Sequence, residues 1–215
     1  MKYIFDFDDV LFKNTKMLKP RMFRLIAEKT GKTAEEVEKA YQEVRKEFSL
    51  VNFIKNSLTP EGLLNEEKKH QIDMDTDALF KEIMSECHKF LDPELMAEIK
   101  RIDKKDLYIV TNGEKKFNWE KLAYSGILEY FDIKHIHVVP GPKTQAVRKI
   151  CKDNPGEDIL FFDDRQEFID GLDEQDNPRF KAIRYEEEKK SEIIELLREW
   201  RPKESPAHEL RKGVK

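Results

Sequence analysis

Cysteine is scarce in this 215-residue chain: Cys87 and Cys151 are far apart and form no CxxC pattern. That excludes a disulfide framework and a CxxC motif, and points to a reduced thiol pair packed as small hydrophobes. Long apolar runs are missing too, with nothing near the roughly 20 residues that span a bilayer. Acids interrupt the start MKYIFDFDD at once, which is not a signal-peptide layout. A cytoplasmic protein without a membrane partner is therefore expected. Nor is there a charge excess of one sign: Lys+Arg 40 against Asp+Glu 44 leaves a net charge of −4. Without a global basic field, no nucleic-acid partner is expected. What is present is 39% apolar and 39% charged residues, enough for a core beneath a heavily solvated surface. The length suits one sizeable domain or a domain plus a small insert.

The most informative stretch runs from Tyr3 to Phe12. Tyr3, Ile4 and Phe5 lead without a break into Asp6, Phe7 and Asp8. A short apolar run bounded by polar residues predicts a buried parallel strand. Residues i and i+2 share a strand face, so Asp6 and Asp8 are expected as a pair at its carboxyl end, where open α/β sheets bind ligands. Two neighbouring carboxylates repel, and a hard divalent cation such as Mg²⁺ relieves that repulsion. On its own the pair also fits an acidic turn after an edge strand.

From Lys13 to Leu91 the periodicity is helical. Pro20 fits a first turn, Met22, Leu25 and Ile26 share a face, and Gly31 fits the stop. Thr33 to Glu36 forms a capping box, followed by Val37, Tyr41, Val44 and Phe48 at helical spacing. Thr59-Pro60 is expected to start another helix, and Leu79, Phe80, Ile83, Met84 and Cys87 form one more stripe. From Asp92-Pro93 onward, helices alternate with apolar strands at Leu107–Val110, His135–Val139, Ile159–Phe162 and Phe180–Tyr185. This alternation means βαβ units and a parallel sheet. The tail from Arg201 is polar with a basic excess and is expected to be disordered.

Separate strands end in complementary polar residues: Asp6 and Asp8, then Thr111, then Asp163 and Asp164, with Lys143 at a helix start between. In a parallel sheet these ends share one edge. Carboxylates to hold a metal, with a hydroxyl and an ammonium for a trianionic group, suit phosphoryl transfer, where catalysis is mostly positioning and charge neutralisation.

The sequence resembles the haloacid dehalogenase-like phosphohydrolases. The matching residues are DFDDVLF at Asp6–Phe12, IVTNG at Ile109–Gly113, Lys143 and ILFFDD at Ile159–Asp164, and Leu122–Asp132 is similar to the stretch between the second and third motifs. The resemblance implies an α/β fold, a Rossmann-like three-layer core around a parallel sheet with an inserted all-helical cap. The implied division is a core at 1–14 and 91–201, a cap at 15–90 and a basic tail at 202–215. The joins near Lys13–Thr15 and Phe90–Asp92 are the expected hinges.

The resemblance also implies roles. Asp6 would be the nucleophile, and Asp8 would protonate the leaving oxygen and then deprotonate water. Mg²⁺ would be held by Asp6, the backbone carbonyl of Asp8 and Asp164, with Asp163 as a ligand or behind one. Thr111 and Lys143 would bind phosphoryl oxygens with the backbone N–H groups of Phe7 and Asn112. Lys13 and Asn14, where core passes into cap, are the candidates for substrate contact.

Three departures stand out. Asp9 replaces a frequent Gly, no Pro follows Lys143, and Phe168 stands where an acid or Asn is common, with Glu167 and Asp170 as possible substitutes. The expected activity is hydrolysis of a small phosphorylated metabolite by a monomer or small homo-oligomer. A phosphomutase on the same core is the alternative, as is a catalytically weak binding protein, for which Phe168 and Asp9 speak.

Overall fold

The computed structural model describes residues 1–45, 49–60, 66–170, 172 and 178–199. Five strands form one parallel sheet: β1 (Lys2–Phe5), β2 (Leu107–Asn112), β3 (Ile136–Val139), β4 (Ile159–Asp163) and β5 (Phe180–Arg184), in the order β3-β2-β1-β4-β5. The chain builds β2 and β3 on one side of β1, then crosses to build β4 and β5 on the other. The carboxyl ends of β1 and β4 therefore flank the point where strand order reverses, the usual ligand crevice of such sheets.

The sheet is buried on both faces, and its strands are continuously apolar for that reason. Tyr3, Phe5, Leu107, Ile109, Leu160 and Phe162 face one layer. It holds α5 (Pro93–Ile99), α6 (Lys115–Ser125) and α9 (Lys190–Glu199), packed through Leu95, Ile99, Leu122, Ile193 and Leu197. Ile4, Tyr108, Val110, Ile159 and Phe161 face the other layer, where α7 (Thr144–Asp153) contributes Val147 and Ile150 and α8 (Gln166–Asp170) contributes Ile169. The three-layer α/β expectation holds.

Between β1 and β2 the described residues hold helices and no named strand: a π-helical turn at Asn14–Leu18, then α1 (Lys19–Thr30), α2 (Ala34–Val44), α3 (Leu50–Leu58) and α4 (Glu66–Met84). Local signals act as expected at α1, where Pro20 lies in the first turn and Gly31 ends the helix at φ +70°. At α2, Thr33 and Glu36 complete a reciprocal capping box. Thr59 has a role that the sequence reading did not assign to it, and the residues directly after Pro60, where a helix start is expected, lie outside the described residues. The Thr59 N–H donates to the Lys55 carbonyl and its hydroxyl to the same oxygen, so Thr59 closes α3. Phe48, Trp200 and the tail at 202–215 lie outside the described residues. Among the described residues, no helix is long and apolar enough to cross a membrane. Cys87 and Cys151 are free thiols, and burial pushes Cys87 up to about 12, keeping it a neutral hydrophobe.

The two joins between the helical segment and the sheet are tied to each other. Lys13 N–H donates to the Phe90 carbonyl at 2.8 Å, and Asp92 N–H to the Leu11 carbonyl at 2.9 Å. The Phe12 ring, fully buried, stacks on Phe7 at 4.9 Å and meets Phe90 at 6.0 Å. Sheet and helical segment thus share one apolar cluster through this knot. Phe12→Ala is expected to lower stability by about 3–5 kcal/mol, the usual loss for a buried ring. Equilibrium urea unfolding checks it, and a loss below about 1 kcal/mol would show that the joins do not hold the fold together.

Candidate active site

A hydrogen bond from Asp6 N–H to the Phe162 carbonyl, 2.8 Å, fixes the residue after β1 beside the end of β4. Asp6 is therefore buried against Asp163, and Lys143 reaches both from the start of α7. Its Nζ lies 2.8 Å from Asp6 Oδ1 and 2.6 Å from Asp163 Oδ2. All three side chains are almost fully buried. Asp163 Oδ1 accepts the Arg165 N–H at 3.0 Å, so both Asp163 oxygens are engaged. Asp6 Oδ1 also accepts the Phe7 N–H at 2.7 Å. Asp6 Oδ2 has no hydrogen-bond partner among the described residues.

One carboxylate oxygen from each of Asp6, Asp163 and Asp164 lies within 4.8 Å of the others. Three carboxylates against one ammonium leave two uncompensated negative charges. Burial pushes Asp6 up to about 7; Lys143 pulls it down, and Asp163 and Asp8 push it up. Asp164 rises to about 6, through burial first and then the charges of Asp163 and Asp9. Oxygen donors carrying this excess charge fit a hard divalent cation. With Asp163 occupied by Lys143 and Arg165, the oxygens open to a cation are Asp6 Oδ2 and those of Asp164.

Asp6 opens into a cavity of about 390 Å³ whose other walls include Asp8, Asn14, Thr111, Asn112 and Asp164. Thr111, in β2, is buried, and its Oγ1 has no hydrogen-bond partner among the described residues. The Asn112 side chain donates to the Gly141 carbonyl at 3.2 Å, pinning the loop that delivers Lys143. Gly113 must lack a side chain: at φ +138° a Cβ would lie 2.7 Å from the Asn118 amide nitrogen.

A family model of haloacid dehalogenase-like hydrolases matches residues 3–174. The chain belongs to that family. A solved structure from Burkholderia xenovorans, provisionally described as a haloacid dehalogenase-like hydrolase, superposes with TM-score 0.61 at 12% identity, over 85% of this chain and 80% of that one. A protein of Thermotoga maritima provisionally described as a β-phosphoglucomutase gives 0.54 at 15%, over 93% and 100%. A protein of Bacillus subtilis provisionally described as a haloacid dehalogenase hydrolase bound to magnesium gives 0.51 at 18%, over 91% and 97%. At these identities the structures share the fold. Comparison with curated proteins found no match.

Within this haloacid dehalogenase-like hydrolase, most of the anticipated residues line one cavity, but not all in the anticipated way. The Asp8 side chain stands apart from the carboxylate cluster, paired with Lys121 Nζ at 2.6 Å to Oδ1 and closer to Oδ2. The Phe7 N–H is turned onto Asp6 Oδ1 rather than left open for a ligand. Asn14 is buried in the cavity wall, whereas Lys13 lines a neighbouring recess and lies 3.4 Å from Asp92. Asp9 takes the left-handed conformation a Gly would supply, φ +59°, and binds the Thr15 N–H at 2.7 Å and hydroxyl at 2.6 Å. Aspartate tolerates this region because its side chain bonds locally. Neither substitute acid approaches the cluster. Glu167 pairs with Arg165, and Asp170 accepts from Gln166 at 2.7 Å. The Phe168 ring instead covers Lys143 Nζ and the Arg165 guanidinium, each at 4.7 Å.

Sequence reasoning missed Lys121. The signal was the inward face of α6, where Asn118, Lys121 and Ser125 stand at helical spacing beside Leu122 and all are buried. Polar residues at core positions mark a site rather than packing.

Raised carboxyls make the cation-free fold bind protons more tightly than the unfolded chain. Their contribution to stability therefore falls as pH rises from about 4, the ordinary carboxylate value, to about 7 for Asp6 and about 6 for Asp164. A bound cation reverses the preference, since it needs both groups ionised. The rise in melting temperature on adding Mg²⁺ is expected to be clearly larger at pH 8 than at pH 5.5. Equal shifts at the two pH values would place the cation elsewhere.

Proposed function

We propose that this hydrolase is a magnesium-dependent phosphatase acting on a small phosphomonoester through an aspartyl-phosphate on Asp6. The observation that carries the proposal is the Thr111 hydroxyl, buried and unpartnered in the same cavity as Asp6 and Lys143. A buried polar group left unmatched costs about 1–3 kcal/mol. A phosphoryl oxygen accepting from Thr111 would remove that penalty, and a neighbouring oxygen would meet the Lys143 ammonium.

The Asp6 carboxylate attacks phosphorus through one of its oxygens, the bond from phosphorus to the leaving oxygen breaks, and that oxygen takes a proton from Asp8. Water then attacks the aspartyl-phosphate, Asp8 accepts its proton, and the bond between Asp6 and phosphorus breaks to release phosphate. Lys121 holds the Asp8 carboxyl in the cavity wall, and Lys143 fixes the Asp6 carboxylate through Oδ1. Asp6 and Asp164 would hold Mg²⁺, with the Asp8 carbonyl as a further oxygen; when bound it neutralises charge on the phosphoryl group. The helical segment, as a cap, would roof the cavity and exclude water. A volume of about 390 Å³ suits a small metabolite.

The test is phosphate release from a panel of small phosphomonoesters, with and without Mg²⁺. Asp6→Asn is expected to abolish it, and Asp8→Asn to lower kcat by roughly 10²–10⁴-fold. Turnover that survives Asp6→Asn, or that ignores Mg²⁺, would sink the proposal; transfer of phosphate between hydroxyls without release would point to a mutase. Lys121→Met is expected to lower kcat by roughly tenfold or more while KM changes little, because it misplaces the proton donor and not the phosphate. A change confined to KM would assign Lys121 to binding instead.

A further inference from the structure

On the floor of the cavity each of the cations is matched by a carboxylate. Lys143 is engaged by Asp6 and Asp163, Lys121 by Asp8, and Arg165 by Glu167. Glu114 accepts the N–H groups of Lys116 and Phe117 at 2.9 and 2.8 Å, and Asp9 is held by Thr15. The wall supplied by the helical segment does not follow this pattern. Lys19, at the start of α1, and Arg45, at the end of α2, both line the cavity. Neither has a carboxylate partner among the described residues. The Lys19 ammonium donates to the Thr15 hydroxyl at 3.2 Å.

The same wall offers further hydrogen-bonding capacity. Tyr41 lines the same wall, its ring fixed against Phe23 and Phe53 at 5.7 and 5.2 Å. Burial pushes its phenol up, so it remains a neutral donor. A solvated surface cation needs no partner, but two unmatched cations in the wall of a concave site raise the potential for an anion entering it. The reacting phosphoryl group has its own contacts at Thr111 and Lys143 and does not require this second pair.

We infer that the ligand of this cavity is a phosphomonoester bearing a second anionic group, a carboxylate or a further phosphate, held by Arg45 and Lys19. The inference rests on the phosphatase reading for the reacting end alone. Either acid group satisfies a guanidinium fork, which binds both bidentately, whereas a neutral alcohol or sugar remainder leaves both cations unmatched.

The experiment compares three esters of one chain length: propyl phosphate, 3-(phosphonooxy)propanoate and propane-1,3-diyl bisphosphate. At least one of the two esters bearing a second acid group is expected to exceed propyl phosphate in kcat/KM by roughly 10- to 100-fold, the scale of a hydrogen bond to a charged group. The carboxylate and bisphosphate arms identify which acid is preferred. Arg45→Gln and Lys19→Gln should collapse that ratio and Arg45→Lys should retain part of it. Hydrolysis of all three at similar kcat/KM, unaffected in ratio by Arg45→Gln, would overturn the inference while leaving the phosphatase reading intact. Calorimetric binding of propane-1,3-bisphosphonate against propylphosphonate separates the converse case. If no ester is hydrolysed but the bisphosphonate binds more tightly in an Arg45-dependent way, the anion site stands and the phosphatase reading falls. Equal binding of the two phosphonates overturns the anion site.

Discussion

The arrangement depends on one buried ammonium. Lys143 sits between Asp6 and Asp163 with all three side chains shielded from water. Ions taken out of water are tolerated only when paired and hydrogen-bonded, and removing one partner leaves an uncompensated charge. Each partner arrives on a different element: Asp6 after β1, Asp163 at the end of β4, Lys143 at the start of α7. The ion cluster therefore exists only if β4 lies beside β1 and the chain crosses over through α7. The register Phe5 to Phe162, continued by the Asp6 N–H to the Phe162 carbonyl, sets the spacing to within one hydrogen bond. Sheet topology and site chemistry are the same constraint seen at two scales.

That coupling explains why the fold and much of the site were legible in the chain. Parallel strands buried on both faces announce themselves as apolar runs, and chemistry at their carboxyl ends follows directly in sequence, as in Ile159 to Asp164. Caps with local chemistry, such as Thr33 with Glu36, were equally plain. What escaped was set by tertiary contacts. Lys121 belongs to a helix whose inward face is polar, so no apolar stripe marked it. Asn14 and Lys13 are adjacent, and nothing local separates them. The π-helical turn at Asn14–Leu18 turns Asn14 into the cavity, while Asp92 draws Lys13 the other way. The closing role of Thr59 escaped because a threonine before a proline serves a helix end as well as a start.

Two of the three departures from the family pattern, Asp9 and Phe168, look like defects in sequence, and the geometry answers both. Asp9 supplies the left-handed turn usually left to Gly, and its carboxylate anchors Thr15, the residue that in turn contacts Lys19. The unusual acid thus fastens the exit from the sheet to the first helix of the segment that walls the cavity. Phe168 is the more telling case. An acid there would add negative charge beside Asp163 and Asp164, whereas the aromatic face offers Lys143 and Arg165 electron density without a net charge. The excess of two negative charges over Lys143 is thereby kept to Asp6, Asp163 and Asp164, the amount that one divalent cation neutralises. Phe168 covers Lys143 without adding a charge and leaves the free oxygens of Asp6 and Asp164 to a cation, so the substitution is compatible with cation binding and is no argument for an inert scaffold.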